Sequence, residues 1–336
     1  MSEFYDRFLR VQTGAARLAE PIDAAISVLL GQGADNLFLL GTGGAAILMQ
    51  PAAHVLAAQS AFPVHMPLSA ELVLGGSHHL GPRSIVVIPS LSGTTKESIA
   101  AMEYCQARGA KVITLVGNAD TPLGKGGDHV FVNAAEDETS TESFYLQSLF
   151  LALSIMRHRD GFAGFSSFVE DAARLPEALL AVKRGFDARA EALAAAIKDT
   201  PWHIITAAGA MWPQAFYYGM CILEEMQWIR TRPVHASDFF HGTLELVEPG
   251  VSVILLKGED ACRPLADRVE TFARDKTDRL AVLDTAAEDL PGISAETRAL
   301  VSPIVAATML ERVSAHLARM RNHPLSTRRY YRRVAY

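Results

Sequence analysis

The chain has 336 residues, of which 49% are apolar and 20% charged, with a formal net charge of −6. That length is enough for two domains with separate cores, and the acidic balance with scattered basic residues gives no footprint for nucleic acid. No run reaches the roughly 18 apolar residues of a membrane span, and the charged Glu3, Asp6, Arg7 and Arg10 interrupt any signal-peptide pattern at the start. The three cysteines, Cys105, Cys221 and Cys262, have neither disulfide nor metal-ligand spacing, which fits reduced thiols and a cytoplasmic location.

Residues 1–34 read as amphipathic helices, with Phe4, Phe8, Val11 and Ala15 at helical spacing and an apolar run from Ile22 to Leu30. They are expected to serve as a dimer or lid element. Asn36 to Leu40 is a short buried strand that ends in Gly41-Thr42-Gly43-Gly44 and leads into a helical stretch, Ala45 to Ser60. Ser84 to Pro89 and Lys111 to Gly117 repeat this form, and His129 to Asn133 is a fourth strand. Phe144 to Arg159 is expected to be a long helix, with the Gly161 to Ser167 region loosening into a linker.

After an alanine-rich helical stretch through Lys198, Trp202 to Thr206 opens a second series with a turn at Ala207 to Gly209 and a helix from Tyr217 to about Arg230. Val251 to Lys257 and Arg279 to Asp284 add strands, His241 lies on a loop-like stretch following Arg232-Pro233, and Ser302 to Met320 forms a long helix. Strands alternating with helices predict parallel sheets covered on both faces, built as an imperfect duplication of one α/β unit.

The segment Ser90-Leu91-Ser92-Gly93-Thr94-Thr95 places hydroxyls and a glycine between a buried strand and the start of a helix. A helix N-terminus presents N–H groups and the positive end of its dipole, and short hydroxyls add donors without bulk, so this turn suits a phosphate. The same residues also suit a simple helix cap. Gly41-Thr42-Gly43-Gly44 falls short of a dinucleotide fingerprint, because Ala46 occupies the third glycine position. Glu225 lies between Leu223, Met226 and Trp228, beside Glu224. His241 follows an aromatic pair, Phe239-Phe240, and His235 is expected to make a structural hydrogen bond. His78 and His79 are adjacent and point apart, so no metal site is expected.

These segments in this order, together with Thr139-Ser140-Thr141-Glu142 and the sixteen-residue step from Glu225 to His241-Gly242, resemble the sugar isomerase (SIS) domain family over roughly residues 35–336. Within it the chain is most similar to the fructosamine-6-phosphate deglycases, through Glu225-Met226-Gln227-Trp228, His235 to Gly242 and His323 to Tyr330. The isomerase half of glucosamine-6-phosphate synthase is a more distant likeness. The resemblance implies two tandem doubly wound subdomains of flavodoxin-like three-layer α/β/α form, at 35–160 and 161–322, after the N-terminal helices 1–34. A tail, 323–336, would close on the active site.

It also implies that Gly41, Thr42, Gly43, Ser90, Ser92, Thr94, Thr95, Ser140 and Arg332 bind the phosphorylated sugar, and that Glu225 and His241 are catalytic. Near-neutral histidine suits protonation of a ring oxygen, and a carboxylate suits proton transfer between C1 and C2. The activity implied is cleavage of a 6-phosphorylated Amadori compound to glucose 6-phosphate and a free amine, with no cofactor and no metal, by a homodimer whose sites are shared between subunits. No nucleic acid or membrane partner is expected. Ile222 replaces a lysine of the synthase pattern and Glu142 another, which turns the expectation away from glucosamine 6-phosphate synthesis. Thr243 stands where a proline commonly follows His-Gly in the deglycases. The alternatives are an aldose–ketose or amino-sugar phosphate isomerase using the same two residues, and a non-catalytic sugar-phosphate sensor.

Overall fold

The computed structural model describes residues 2–135, 141–331 and 333–335. The chain divides into two units, Met1–Glu177 with Gly292–Thr297, and Ala178–Pro291 with Arg298–Tyr336.

The first unit is built on a five-stranded sheet: β1 (Asn36–Leu39), β2 (Val64–His65), β3 (Ser84–Ser90), β4 (Lys111–Val116) and β5 (His129–Val132). The order is β2-β1-β3-β4-β5 and every pairing is parallel. This is the flavodoxin-like doubly wound order, with its topological switch between β1 and β3. Central β3 is buried along its whole length, which is why it reads as a continuous apolar run rather than an alternating one. Its core joins Val86 and Ile88 to Phe38, Leu40, Val112, Met102 and Cys105.

The N-terminal helices, Ser2–Ala16 and Ala19–Gly31, pack on the helix Thr141–Asp160. Phe8, Ile22 and Ile26 are fully buried, each worth about 2 kcal/mol of apolar transfer. Asn133 donates to the Val11 carbonyl at 3.1 Å, tying the first helix to the end of β5. The apolar face of these helices is therefore part of the first unit's own core.

The second unit repeats the plan with four parallel strands: β6 (Trp202–Ala207), β7 (Arg230–His235), β8 (Ser252–Lys257) and β9 (Leu280–Asp284), ordered β7-β6-β8-β9. Matched by topology, β6 corresponds to β1, β7 to β2, β8 to β3 and β9 to β4. Buried β8 supplies Val253 and Leu255 to a core with Ile204, Val234, Phe239 and Val269. The Arg232-Pro233 segment lies inside β7, where Pro233 pairs by register with Ile205. Proline is tolerated there because β7 is an edge strand, and its missing N–H is not needed by a second neighbour. No linker interrupts the chain at Ser166-Ser167, since a single helix runs from Phe165 to Ile197. Among the described residues, no helix is long and apolar enough to cross a membrane.

Candidate active site

In the first unit, the two glycine-bearing turns follow β1 and β3 at their carboxyl ends, on either side of the switch point, where doubly wound sheets bind ligands. The first is pinned by Ser69, whose hydroxyl donates to the Gly41 carbonyl at 2.9 Å and accepts from the Gly41 N–H at 3.1 Å. A β-carbon at Gly41 would fall 2.9 Å from the Ala46 backbone nitrogen, so the chain can turn this tightly only through glycine. Thr42 and Gly43 are exposed at the tip.

The second turn brings Ser90, Ser92, Thr94 and Thr95 together. Buried Ser90 accepts from the Gly93 N–H at 3.1 Å, and its hydroxyl lies 3.4 Å from that of Thr95. Ser92 accepts from the Thr94 N–H at 3.3 Å and from its hydroxyl at 3.1 Å. The helix Lys96–Gln106 starts here, and Thr95 at its N-cap makes no side-chain capping bond. Capping is therefore not what the Thr95 hydroxyl does. The turn is instead held from below: Gly117 N–H donates to the Leu91 carbonyl and Leu123 N–H to that of Gly93, both at 3.1 Å. The hydroxyls of Ser90, Ser92, Thr94 and Thr95 thus gather at a helix N-terminus, whose N–H groups and dipole favour an anion. Ser140 and Arg332 lie outside the described residues.

The counterpart position in the second unit, after β8, has opposite chemistry. Buried Lys257 is ringed by Glu270 at 2.6 Å and Asp267 at 2.7 Å, and Arg298 reaches Glu259 at 2.8 Å. Burial disfavours charge on Lys257, but its carboxylate neighbours win and raise its pKa. This loop, Gly258-Glu259-Asp260, is acidic, and its carboxylates are engaged by Arg298 and by the N–H groups of Ala210 and Cys262. The duplicated fold thus carries the hydroxyl turn in its first unit.

Glu225 sits at a local irregularity. The helix Trp212–Tyr217 does not continue as an α-helix; Tyr218–Glu224 is wound as a π-helix, and Glu225–Gln227 closes it with one α-turn. Wider winding over seven residues turns the following side chains relative to an α-helical path. The two adjacent glutamates separate in role: Glu224 Oε1 accepts from the Thr231 N–H at 3.2 Å and from its hydroxyl at 2.5 Å, joining the turn to β7. Glu225 Oε1 instead lies 3.0 Å from Arg328 Nε. Burial pushes the neighbouring Cys221 thiol up to about 12, and the negative charges of Glu225 and Glu224 add to the effect. Trp228 then takes the left-handed conformation, φ 55°, and Ile229 N–H returns to the Leu223 carbonyl at 2.8 Å.

His235 Nδ1 accepts from the Ser237 N–H at 3.1 Å and caps the helix Ala236–Phe239, the structural bond expected of it. His241 follows that helix with an exposed side chain. Its backbone N–H is bonded to the Asp238 carbonyl at 2.9 Å, which fixes the loop. Phe239 is wholly buried, so the aromatic pair before the histidine anchors it to the core. Sequence reasoning did not find Ser69, whose role comes from an approach between distant segments that no local pattern announces, and it named Arg328 only as part of the C-terminal tail.

Residues 32–157 match the family model for the SIS domain. The chain is 29% identical, over 96% of its length and 98% of the relative, to the fructosamine deglycase FrlB of Bacillus subtilis. It is 26% identical, over 88% of this chain and 85% of the relative, to the fructoselysine 6-phosphate deglycase of Escherichia coli O157:H7. A crystal structure assigned to the phosphosugar isomerases, from Bacillus subtilis, superposes with a TM-score of 0.90 at 28% identity, covering 96% of this chain and 99% of that one. The fold is that of a doubly wound α/β protein with a hydroxyl-rich turn at the switch point of its first sheet. The SIS domain match is confined to residues 32–157, and the chain as a whole is similar to the fructosamine deglycases.

Proposed function

We propose that this chain is a deglycase that converts a 6-phosphorylated Amadori compound into glucose 6-phosphate and a free amine. The observation that carries the reading is its likeness, along nearly its whole length, to a fructosamine deglycase and a fructoselysine 6-phosphate deglycase. The hydroxyl turn Ser90–Thr95 supports recognition of the phosphate, with Thr42 lining the sugar. Binding a remote phosphate supplies orientation at the reacting carbons.

His241 protonates the ring oxygen as the sugar opens to its C2 ketone. The Glu225 carboxylate takes a proton from C1, giving an enaminol, and returns a proton to C2. The C1–C2 double bond becomes a C1 imine. Water adds to C1, the C–N bond breaks, and the amine leaves with a proton. No electrons are transferred to an external acceptor, so these steps need no redox cofactor.

The active enzyme is a homodimer in the cytoplasm, and His241 reaches the site of the neighbouring subunit. Its exposed position on a fixed loop supports this arrangement, as do three free cysteines for a reducing compartment. Mixing inactive Glu225→Gln with inactive His241→Ala under subunit exchange returns about a quarter of parental activity if sites are shared. No return despite exchange assigns both residues to one chain's site.

The likeness to a phosphosugar isomerase structure favours aldose–ketose isomerisation as the second reading. One experiment separates them: a panel of 6-phosphorylated Amadori compounds and of plain sugar phosphates, followed by glucose 6-phosphate and free-amine release. Stoichiometric amine and glucose 6-phosphate support deglycation; turnover of plain sugar phosphates alone assigns an isomerase.

A further inference from the structure

The segment that follows the helix Ala295–Met320 is fastened to the residues directly after Glu225. Buried Gln227 donates from Nε2 to the His323 carbonyl at 2.8 Å, and Arg321 Nη1 donates to the Gln227 side-chain oxygen at 3.3 Å. The Trp228 ring meets the His323 ring edge-on with centroids 4.5 Å apart, and the Arg329 guanidinium lies 4.0 Å over the Trp228 ring. These contacts grip the segment from both sides of the left-handed Trp228.

Within this grip Arg328 is constrained by its own turn. Its Nη1 donates to the Leu325 carbonyl at 2.5 Å and the Thr327 carbonyl at 3.0 Å, which fixes the guanidinium plane. Its Nε is thereby directed at Glu225 Oε1, 3.0 Å away, with only 15% of the arginine side chain and 29% of the glutamate side chain exposed. A flexible surface pair contributes little, but a partly buried guanidinium already held by two carbonyls has lost its freedom before it meets the carboxylate.

We infer that Arg328 is the positioning residue of Glu225: it orients the carboxylate and keeps it ionised, ready to take the C1 proton. This rests on the reading of Glu225 as the base of the proposed deglycation. Arg328 does not touch the reacting atoms and acts through Glu225. The arrangement also explains why a tail without regular secondary structure is bonded so closely here.

The test compares Arg328→Ala, Arg328→Lys and Glu225→Gln with the parent on phosphorylated Amadori compounds. Arg328→Ala is expected to lower kcat by about 10- to 100-fold with KM changed less than about 3-fold, because orientation is lost while the phosphate grip remains. Added guanidinium is expected to restore part of the kcat of Arg328→Ala and none of Glu225→Gln, and Arg328→Lys is expected to fall between parent and Ala. A second readout needs no turnover: in protein labelled with ¹³C-carboxyl glutamate, the Glu225 signal titrates at higher pH in Arg328→Ala than in the parent, since removing an adjacent cation disfavours the anion. Unchanged kcat with raised KM would make Arg328 a substrate-binding residue, and an unchanged Glu225 titration would show that it does not act on Glu225; either overturns the inference. If the parent cleaves no Amadori compound the deglycase reading fails, and the titration still decides the role of Arg328.

Discussion

Thr121 lies so close beneath Gly93 that a β-carbon on the glycine would stand 2.1 Å from the threonine hydroxyl. Gly93 is also left-handed, φ 64°, and Thr121 is itself fixed, donating to the Asn118 carbonyl at 2.9 Å and accepting from Gly124 N–H at 3.1 Å. Gly93→Ala must therefore displace the hydroxyl turn. It is expected to raise KM for a phosphorylated substrate by more than about 10-fold and to cost about 1–3 kcal/mol in stability. Steady-state kinetics and denaturant unfolding check both. Ser90→Ala and Thr95→Ala are expected to raise the same KM while barely altering behaviour toward an unphosphorylated analogue; equal effects on both substrates would remove the phosphate assignment.

Gln227→Leu removes the bonds to His323 and Arg321 and leaves the His323 carbonyl without that donor. A loss of about 2 kcal/mol is expected. The readout is limited trypsin digestion: cleavage after Arg328 or Arg329 becomes faster than in the parent. Equal digestion rates would show that the tail is held independently of Gln227.

The three thiols separate sharply. Burial pushes Cys105 and Cys221 up to about 12, whereas half-buried Cys262 is raised less far. Since the thiolate is the nucleophile, the folded protein at pH 8 is expected to label at Cys262, slowly, and the unfolded protein at all three. Mass spectrometry after a brief alkylation pulse locates the label.

His203 is wholly buried beside Ser252, with its Nδ1 at 2.7 Å from the hydroxyl. Burial lowers its pKa to about 4, and a backbone hydrogen bond at Ile197 offsets only part of that. The unfolded ring binds a proton below its ordinary pKa of about 6.5, while the folded ring stays neutral until about 4, so stability is fully present above about 6.5 and falls as pH drops through that window. The loss reaches about 3 kcal/mol at the acid end. Urea unfolding at pH 7.5 and pH 5 is expected to show a smaller difference in His203→Gln than in the parent.

The central strands were legible because β3 and β8 are buried on both faces and read as unbroken apolar runs, and the hydroxyl turn was legible because it directly follows one of them. Strands β2 and β7 were not: the first has two residues, and the second carries Arg230, Arg232 and Pro233 on an exposed edge. The π-wound turn leaves no periodicity signal in seven residues, so the helix expected from Tyr217 to about Arg230 is instead π-wound over Tyr218–Glu224 and ends at Gln227. Nothing in a local pattern couples the tail arginines to Glu225. That contact depends on Gln227, Trp228 and His323 meeting after the chain has folded.

The proposed deglycation turns on Glu225 as the proton carrier. The most direct measurement compares the parent with Glu225→Gln on a fructosyl-amino acid 6-phosphate, following glucose 6-phosphate through a coupled dehydrogenase. Thermal unfolding of both proteins verifies an intact fold. A rate loss of more than about 100-fold in a folded Glu225→Gln protein is predicted. Near-parental turnover in that variant would contradict the account.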